Sequence, residues 1–369
     1  MGKARNIADL LNSSGKIDSA DIDSSAQFYQ FKNRIINGDM RIDQRNAGAS
    51  ISMVTGDGNY CLDRWRTQKN GAGTFSLQQV TTAPAGFSSS LKVTVTGTST
   101  PSSGDYYTIG QAIEGYNIAD FGFGTANANT VTLSFWIQSS VTGTYSASLF
   151  NPNTTNAYPA TFTINSANTW EQKTITIAGT SAGTWNTTNG SGIYFRIDLG
   201  SGSSFNGTAN AWNTSGGFKT SSSVSLVSNA SATLFLTGVQ LEKGSTATSF
   251  DYRPYGTELA LCQRYYQRIQ GDTSAQRMVG VGVVGAASDA YRVSVPMKTS
   301  MRASPTCSSS GLTVYDGSVN PSISLGTSYA TKDQISADFV GGSGLTLGRA
   351  ACVLTGGSNT SYFDASAEL

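Results

Sequence analysis

Four side chains on two strand-like runs have the types and spacing to hold a sugar. In Val131 to Gln138 the apolar Val131, Leu133, Phe135 and Ile137 alternate with Thr132, Ser134, Trp136 and Gln138. Alternation puts the two sets on opposite faces of a strand, so the first set is core and Trp136 stands on a mostly polar face. Ile193, Phe195, Ile197 and Leu199 form a second core set, which turns Tyr194, Arg196 and Asp198 the other way. An aromatic ring covers the C–H face of a saccharide, while a cation and a carboxylate hold its hydroxyls. Trp136, Tyr194, Arg196 and Asp198 are therefore the expected glycan-binding set. The competing arrangement packs Trp136 and Tyr194 under a long loop or against another protomer, with Arg196 and Asp198 paired on the surface.

Other chemistry is thinly supplied. The 369 residues contain no histidine, which removes the usual general base, the usual metal-binding nitrogen and any Ser-His or Cys-His nucleophile. Cys61, Cys262, Cys307 and Cys352 stand far apart with no C-x-x-C spacing, so a thiolate zinc site is not expected and the thiols read as free. A glycosidase needs two carboxylates roughly 5 to 9 Å apart. Asp105, Glu114, Asp120, Glu171 and Asp198 are scattered, and no fixed-period repeat marks a solenoid. The expected role is non-enzymatic. Trp65 reads as core, whereas Trp170, Trp185 and Trp212 in or beside loops suit a glycan or a subunit contact equally.

The elements that must position these residues are short strands. Only 13% of residues are charged, and 41 glycines with abundant Ser, Thr and Asn punctuate apolar runs. This composition describes an all-β chain. Lys plus Arg number 24 against 23 Asp plus Glu, so no field draws in nucleic acid or an anionic membrane. No apolar run is long enough for membrane insertion, and Met1 to Leu11 is too polar for a secretory signal, so synthesis in a cytoplasm is expected.

Four segments follow in order. Residues 1–32 carry Ile7, Leu10 and Leu11 at helical spacing before a polar stretch, which reads as a docking segment covered by a partner, or else a frayed terminus. Residues 33–255 show period-2 runs between turn clusters and predict a jelly-roll β-sandwich with long loops. Residues 256–270 predict a short helical joint with Thr257 as N-cap, and Leu261, Tyr265 and Ile269 as its apolar stripe. Residues 271–369 return to strand patterns and predict a smaller C-terminal β-sandwich.

Six motifs in order carry a resemblance. Asn33-Arg-Ile-Ile-Asn-Gly-Asp-Met, Leu62-Asp-Arg-Trp-Arg, Val131-Thr-Leu-Ser-Phe-Trp-Ile, Thr169-Trp-Glu-Gln-Lys, Leu236-Thr-Gly-Val-Gln-Leu-Glu and Glu258-Leu-Ala-Leu-Cys-Gln-Arg-Tyr-Tyr resemble landmarks of bacteriophage tail-fibre and virion appendage proteins. The part through Val239-Gln-Leu-Glu is also similar to jelly-roll carbohydrate-binding modules. The resemblance implies a virion protein, often a homotrimer, whose N-terminus docks on a phage tail or capsid protein and whose distal domains meet a host-surface glycan. A purely structural head fibre or capsid decoration protein is the alternative. It further implies a structural Ca2+ near Asp39 and Gln240 or Glu242, with Gln240 standing where related modules commonly carry an acid.

Overall fold

In this computed structural model, residues 31–369 are described, apart from 154, 215, 274 and 287. The expected docking residues Ile7, Leu10 and Leu11 lie outside the described residues.

The all-β expectation holds, and the alternating runs pair into two stacked six-stranded sheets. The first sheet has the order β1 (Ile51–Ser52), β4 (Thr74–Val80), β5 (Ser90–Gly97), β12 (Thr233–Lys243), β7 (Val131–Ser139) and β10 (Glu171–Ile177). The second runs β2 (Gly56–Leu62), β3 (Trp65–Lys69), β6 (Tyr107–Glu114), β11 (Ser191–Asp198), β8 (Gly143–Phe150) and β9 (Ala157–Ile164). Leu133, Phe135 and Ile137 from one sheet meet Trp65, Phe195 and Ile197 from the other in a single core. Trp65 is fully buried and donates its indole N–H to the Asn37 carbonyl at 2.9 Å.

Two of the sequence landmarks prove to be halves of one contact. The Asn33–Asp39 segment runs beside β12, where Arg34 N–H donates to the Leu241 carbonyl and Val239 N–H to the Gly38 carbonyl, both at 2.9 Å. The Asn33 amide bridges them, donating to the Val239 carbonyl and accepting from Ile35 and Leu241. Gly38 is required there, because a Cβ would stand 2.2 Å from the Val239 oxygen.

The joint departs from the expected helix. Helix α1 spans Tyr255–Gln263 and is capped at its N-terminus by the Pro254 backbone, with no side-chain cap from Thr257. It stops short of Ile269 because the next residues find a better partner. Tyr266–Gln270 forms β13, which pairs residue for residue with β21 (Tyr362–Ser366). Tyr265 and Ile269 therefore lie beyond the helix, while Tyr265 and Cys262 are still buried with Ile36 and Ile42.

Beyond the joint, β14 (Met278–Ala286), β15 (Asp289–Val295), β19 (Ile335–Val340), β18 (Ser322–Ala330), β17 (Leu312–Tyr315) and β20 (Ala350–Thr355) close into a barrel. A two-sheet sandwich was expected for this part. Closure follows from β14, where Gly280 and Gly282 lie so near β15 that a Cβ would meet the Ser294 and Tyr291 oxygens at 2.3 and 2.5 Å. Register shifts along β14–β15, β15–β19 and β18–β19 add the coiling that brings β20 back to β14. A three-stranded sheet of β13, β21 and β16 (Thr306–Ser310) lies against the same core through Phe363 and Ala365.

Buried charges tie the two bodies together. Arg64, in the β2–β3 turn at φ 70°, points its guanidinium inward to Glu368 and the Ala112 carbonyl, with its carbon 3.7 Å from the Tyr265 ring centroid. Glu114 accepts from Arg264 at 2.6 and 3.0 Å and from the Tyr265 hydroxyl at 2.5 Å.

Asp63, beside Arg64, is buried and accepts two hydrogen bonds from Gln44, at 2.6 and 2.9 Å. Burial pushes its pKa up to about 6 from an ordinary 3.8. The folded state thus keeps this proton longer than the unfolded chain. The stabilisation is full below about pH 4 and is lost as the pH rises through about 6. Asp63→Asn is expected to flatten that part of the curve by on the order of 2 kcal/mol. Urea unfolding across this pH range checks it, and an unchanged slope would place the proton elsewhere.

Candidate functional site

The alternation of β7 delivers Trp136 to the outer face of the first sheet, opposite Thr237 of β12 on one side and Gln172 of β10 on the other. Two loops then raise walls around it. The first turns at Pro84, whose carbonyl accepts the Phe87 N–H at 3.1 Å. The second follows β12 and folds back as residues 245–252. Its fold is set by Glu242, which accepts from the Thr248 N–H at 2.9 Å and hydroxyl at 2.7 Å, and by Gln240, whose carbonyl accepts the Asp251 N–H at 2.8 Å. This loop carries Phe250 and Tyr252 into contact with Phe87, with ring centroids 5.2 and 5.6 Å away.

The result is a cleft of about 220 Å3 lined by Trp136, Phe87, Phe250 and Tyr252, with Ser134, Gln172 and Thr248 among its polar members. Tyr252 is 51% exposed, so the rim is open to solvent. No charged side chain is among the lining residues. Aromatic faces beside neutral hydroxyl and amide groups suit a ring with an apolar face and a hydroxyl edge.

Gly238 sits at the floor. It adopts φ 60° at a register shift in β12, and a Cβ there would stand 2.6 Å from the Phe87 ring and 3.1 Å from the Trp136 ring. Gly238→Ala is expected to weaken folding by about 1 kcal/mol through the left-handed backbone. The same methyl displaces both rings, so saccharide affinity should fall roughly tenfold, measured by titration calorimetry beside a thermal melt. An affinity equal to the parent's would show that these rings do not touch ligand.

The structure does not bring the four expected glycan residues together. Trp136 is on β7 of the first sheet, whereas Tyr194, Arg196 and Asp198 are on β11 of the second, so their outer faces point in opposite directions. Tyr194 packs on Phe150 at 5.3 Å, and the Arg196 guanidinium lies 4.3 Å from the Phe150 centroid and 5.5 Å from that of Phe218. Asp198 is buried, accepts the Ser201 N–H at 2.8 Å, and has its pKa raised by burial. It braces the turn after β11 through the Ser201 N–H.

The expected calcium residues are engaged elsewhere. Asp39 is buried against the Arg41 guanidinium, and the Gln240 amide donates to Glu242 at 2.8 Å. Among the described residues, no group of three or more Cys, Asp and Glu is arranged to hold a metal. A second, open concavity of about 530 Å3 includes Arg45, Tyr60, Arg302 and Glu368. Its cations are already occupied: Arg45 pairs with Glu368, and Arg302 donates to the Ala367, Glu368 and Asn189 carbonyls.

Sequence reasoning missed Phe87, Phe250 and Tyr252. They lie in loops outside the named strands, where no strand period marked them.

No protein-family model matches the chain, and no curated protein matches it. Among solved structures, the enzymatically active domain of tailspike protein 4 of bacteriophage CBA120 matches 49% of this chain and 19% of its own, at 12% identity and a TM-score of 0.26. The chain therefore spans 19% of the length of that tailspike chain. The family 11 carbohydrate-binding module of the cellulase Lic26A-Cel5E of Clostridium thermocellum matches over 53% of this chain and 99% of its own, at 12% identity and 0.27. The CBM22-1 xylan-binding domain of Paenibacillus barcinonensis Xyn10C matches over 55% and 98%, at 11% identity and 0.25. Likeness at this level assigns nothing to this chain, whose cleft stands on its own geometry.

Proposed function

We propose that this protein is a non-enzymatic bacteriophage virion appendage, made in the host cytoplasm, that recognises a host-surface glycan through the Trp136–Tyr252 cleft. The observation that carries the binding half is the uncharged, solvent-open cleft with four aromatic rings and neutral polar groups. The absence of a carboxylate from its lining favours holding a sugar over cleaving it. The ordered landmark motifs support the virion setting, with the N-terminal segment docking on a tail or capsid protein. Self-association as a homotrimer draws support from the barrel exterior. There Met278, Val281, Val283 and Tyr315 are exposed on β14 and β17, which flank β20.

The test is a glycan array of the intact protein, with Trp136→Ala alongside and native mass recorded on the same samples. A trimer that binds glycan and loses it in the variant supports the reading. A trimer that binds no glycan moves the protein to the structural alternative, a head fibre or capsid decoration protein.

A further inference from the structure

The outer face of the first sheet carries more than the cleft. Register places Gln78 opposite Lys92, Lys92 opposite Phe235, and Phe235 opposite Gln138, in one row across β4, β5, β12 and β7. Trp170, just before β10, completes the row with its ring 6.2 Å from that of Phe235 at 64°. Thr237, Trp136 and Gln172 form the adjoining row. Phe235 and Thr237 are two residues apart on one strand, so the rows are separated by about 7 Å. The step from one ring to the next in a saccharide chain is of similar length.

Lys92 is the one charged residue in these two rows. Its ammonium lies 5.6 Å from the Phe235 centroid, and among the described residues it makes no ion pair. Glu171, at the start of β10, is already bound to Lys173 and Asn165. A half-buried strand lysine beside two aromatic rings presents a cation at the edge of a stacking platform.

Resting on the reading of the cleft as a saccharide site, we propose that the Phe235–Trp170–Lys92 row is a second subsite that takes a sugar ring bearing an anionic substituent. The ligand is then a chain of at least two rings lying across the strands, with one ring in the Trp136 cleft and an acidic neighbour over Phe235. Carboxylate and phosphate share this chemistry.

The experiment uses the full-length protein on an array of uronic-acid-bearing and phosphate-bearing oligosaccharides from bacterial surfaces. Each is printed beside its neutral counterpart, carboxyl-reduced or dephosphorylated. The expected result is binding to an acidic member that weakens roughly tenfold on neutralisation and by the same factor in Lys92→Gln, with less loss at high salt. Lys92→Gln should leave affinity for the neutral form unchanged, which separates lost charge from lost fold. Trp170→Ala should weaken both forms. Carboxyl reduction and dephosphorylation reveal which anion is read. Equal affinity for acidic and neutral forms, or an inert Lys92→Gln, overturns the subsite and leaves the cleft reading intact. Binding to no glycan at all overturns both.

Discussion

Trp136→Ala is expected to lower affinity for the bound saccharide roughly a hundredfold, about 3 kcal/mol, while leaving the unfolding midpoint within about 1 kcal/mol of the parent. The size follows from where the indole sits. It is half-buried on the outer face of β7, forms the cleft floor with Gly238, and faces rings carried on two loops. Truncation removes the stacking surface and lets water into the cleft, whose remaining polar groups Ser134, Gln172 and Thr248 bind a sugar weakly alone. The core alternates to the other face of the same strand, where Phe135 and Ile137 are fully buried, so the fold does not depend on Trp136. Titration calorimetry and urea unfolding on the same preparation check both halves. A loss of stability matching the loss of affinity would make Trp136 structural and sink the site.

Arg64→Ala is expected to destabilise the protein by about 3–5 kcal/mol, the largest effect of any single substitution considered. The guanidinium is buried, and its removal strands Glu368, which is left with Arg45 alone, as well as the Ala112 carbonyl. It also opens a cavity against the Tyr265 ring. Because the contact joins the β2–β3 turn to the end of the chain, the variant should unfold in two steps where the parent unfolds in one. Denaturant unfolding followed by both tryptophan fluorescence and far-UV circular dichroism reads this as two separated midpoints. Arg64→Met with Glu368→Gln removes both charges and keeps volume, so it should recover most of the loss. A double variant no better than Arg64→Ala would refute the ionic account.

Local alternation was enough to sort faces within each strand. Leu133, Phe135, Ile137, Ile193, Phe195 and Ile197 are all buried, as their spacing required. It was not enough to sort strands among sheets. β7 pairs with β12 about a hundred residues later, and β11 pairs back to β6 about eighty residues earlier. Trp136 and Tyr194 thus read alike in sequence and end on opposite sides of the sandwich. Phe87 and Phe250 sit in loops with no strand period, and only the folding-back of residues 245–252 on Gln240 and Glu242 reveals them. Gln240 was legible as a special position beside Asn33-Arg-Ile-Ile-Asn-Gly-Asp, yet its carbonyl serves the Asp251 N–H in the loop that builds the cleft. The helical joint was legible as an element but not in its bounds: it starts at Tyr255 on the Pro254 backbone and not at a Thr257 cap, and it ends early because β21, which captures Tyr266–Gln270, lies some ninety residues on. Barrel closure had its signal in Gly280, Gly282 and Gly285, which spell a strand stripped of bulk along one edge.

β13 leads from the joint into the barrel, β16 and β21 are added by chain that leaves the barrel after β15 and β20, and the three strands form one sheet packed on the barrel core. A single peptide tether would let each cleft wander, whereas three hydrogen-bonded strands act as a stiff bracket. In a threefold assembly the clefts are then held at set separations, and the effective concentration of a second cleft depends on geometry and not on slack. Avidity should accordingly discriminate by polymer architecture: a long, regularly repeating surface polysaccharide gains from simultaneous engagement, and a short free oligosaccharide of the same composition gains nothing. On the proposed reading of a trimeric, glycan-binding appendage, the bracket would make the assembly a reader of how sugars are arrayed as well as which sugars they are.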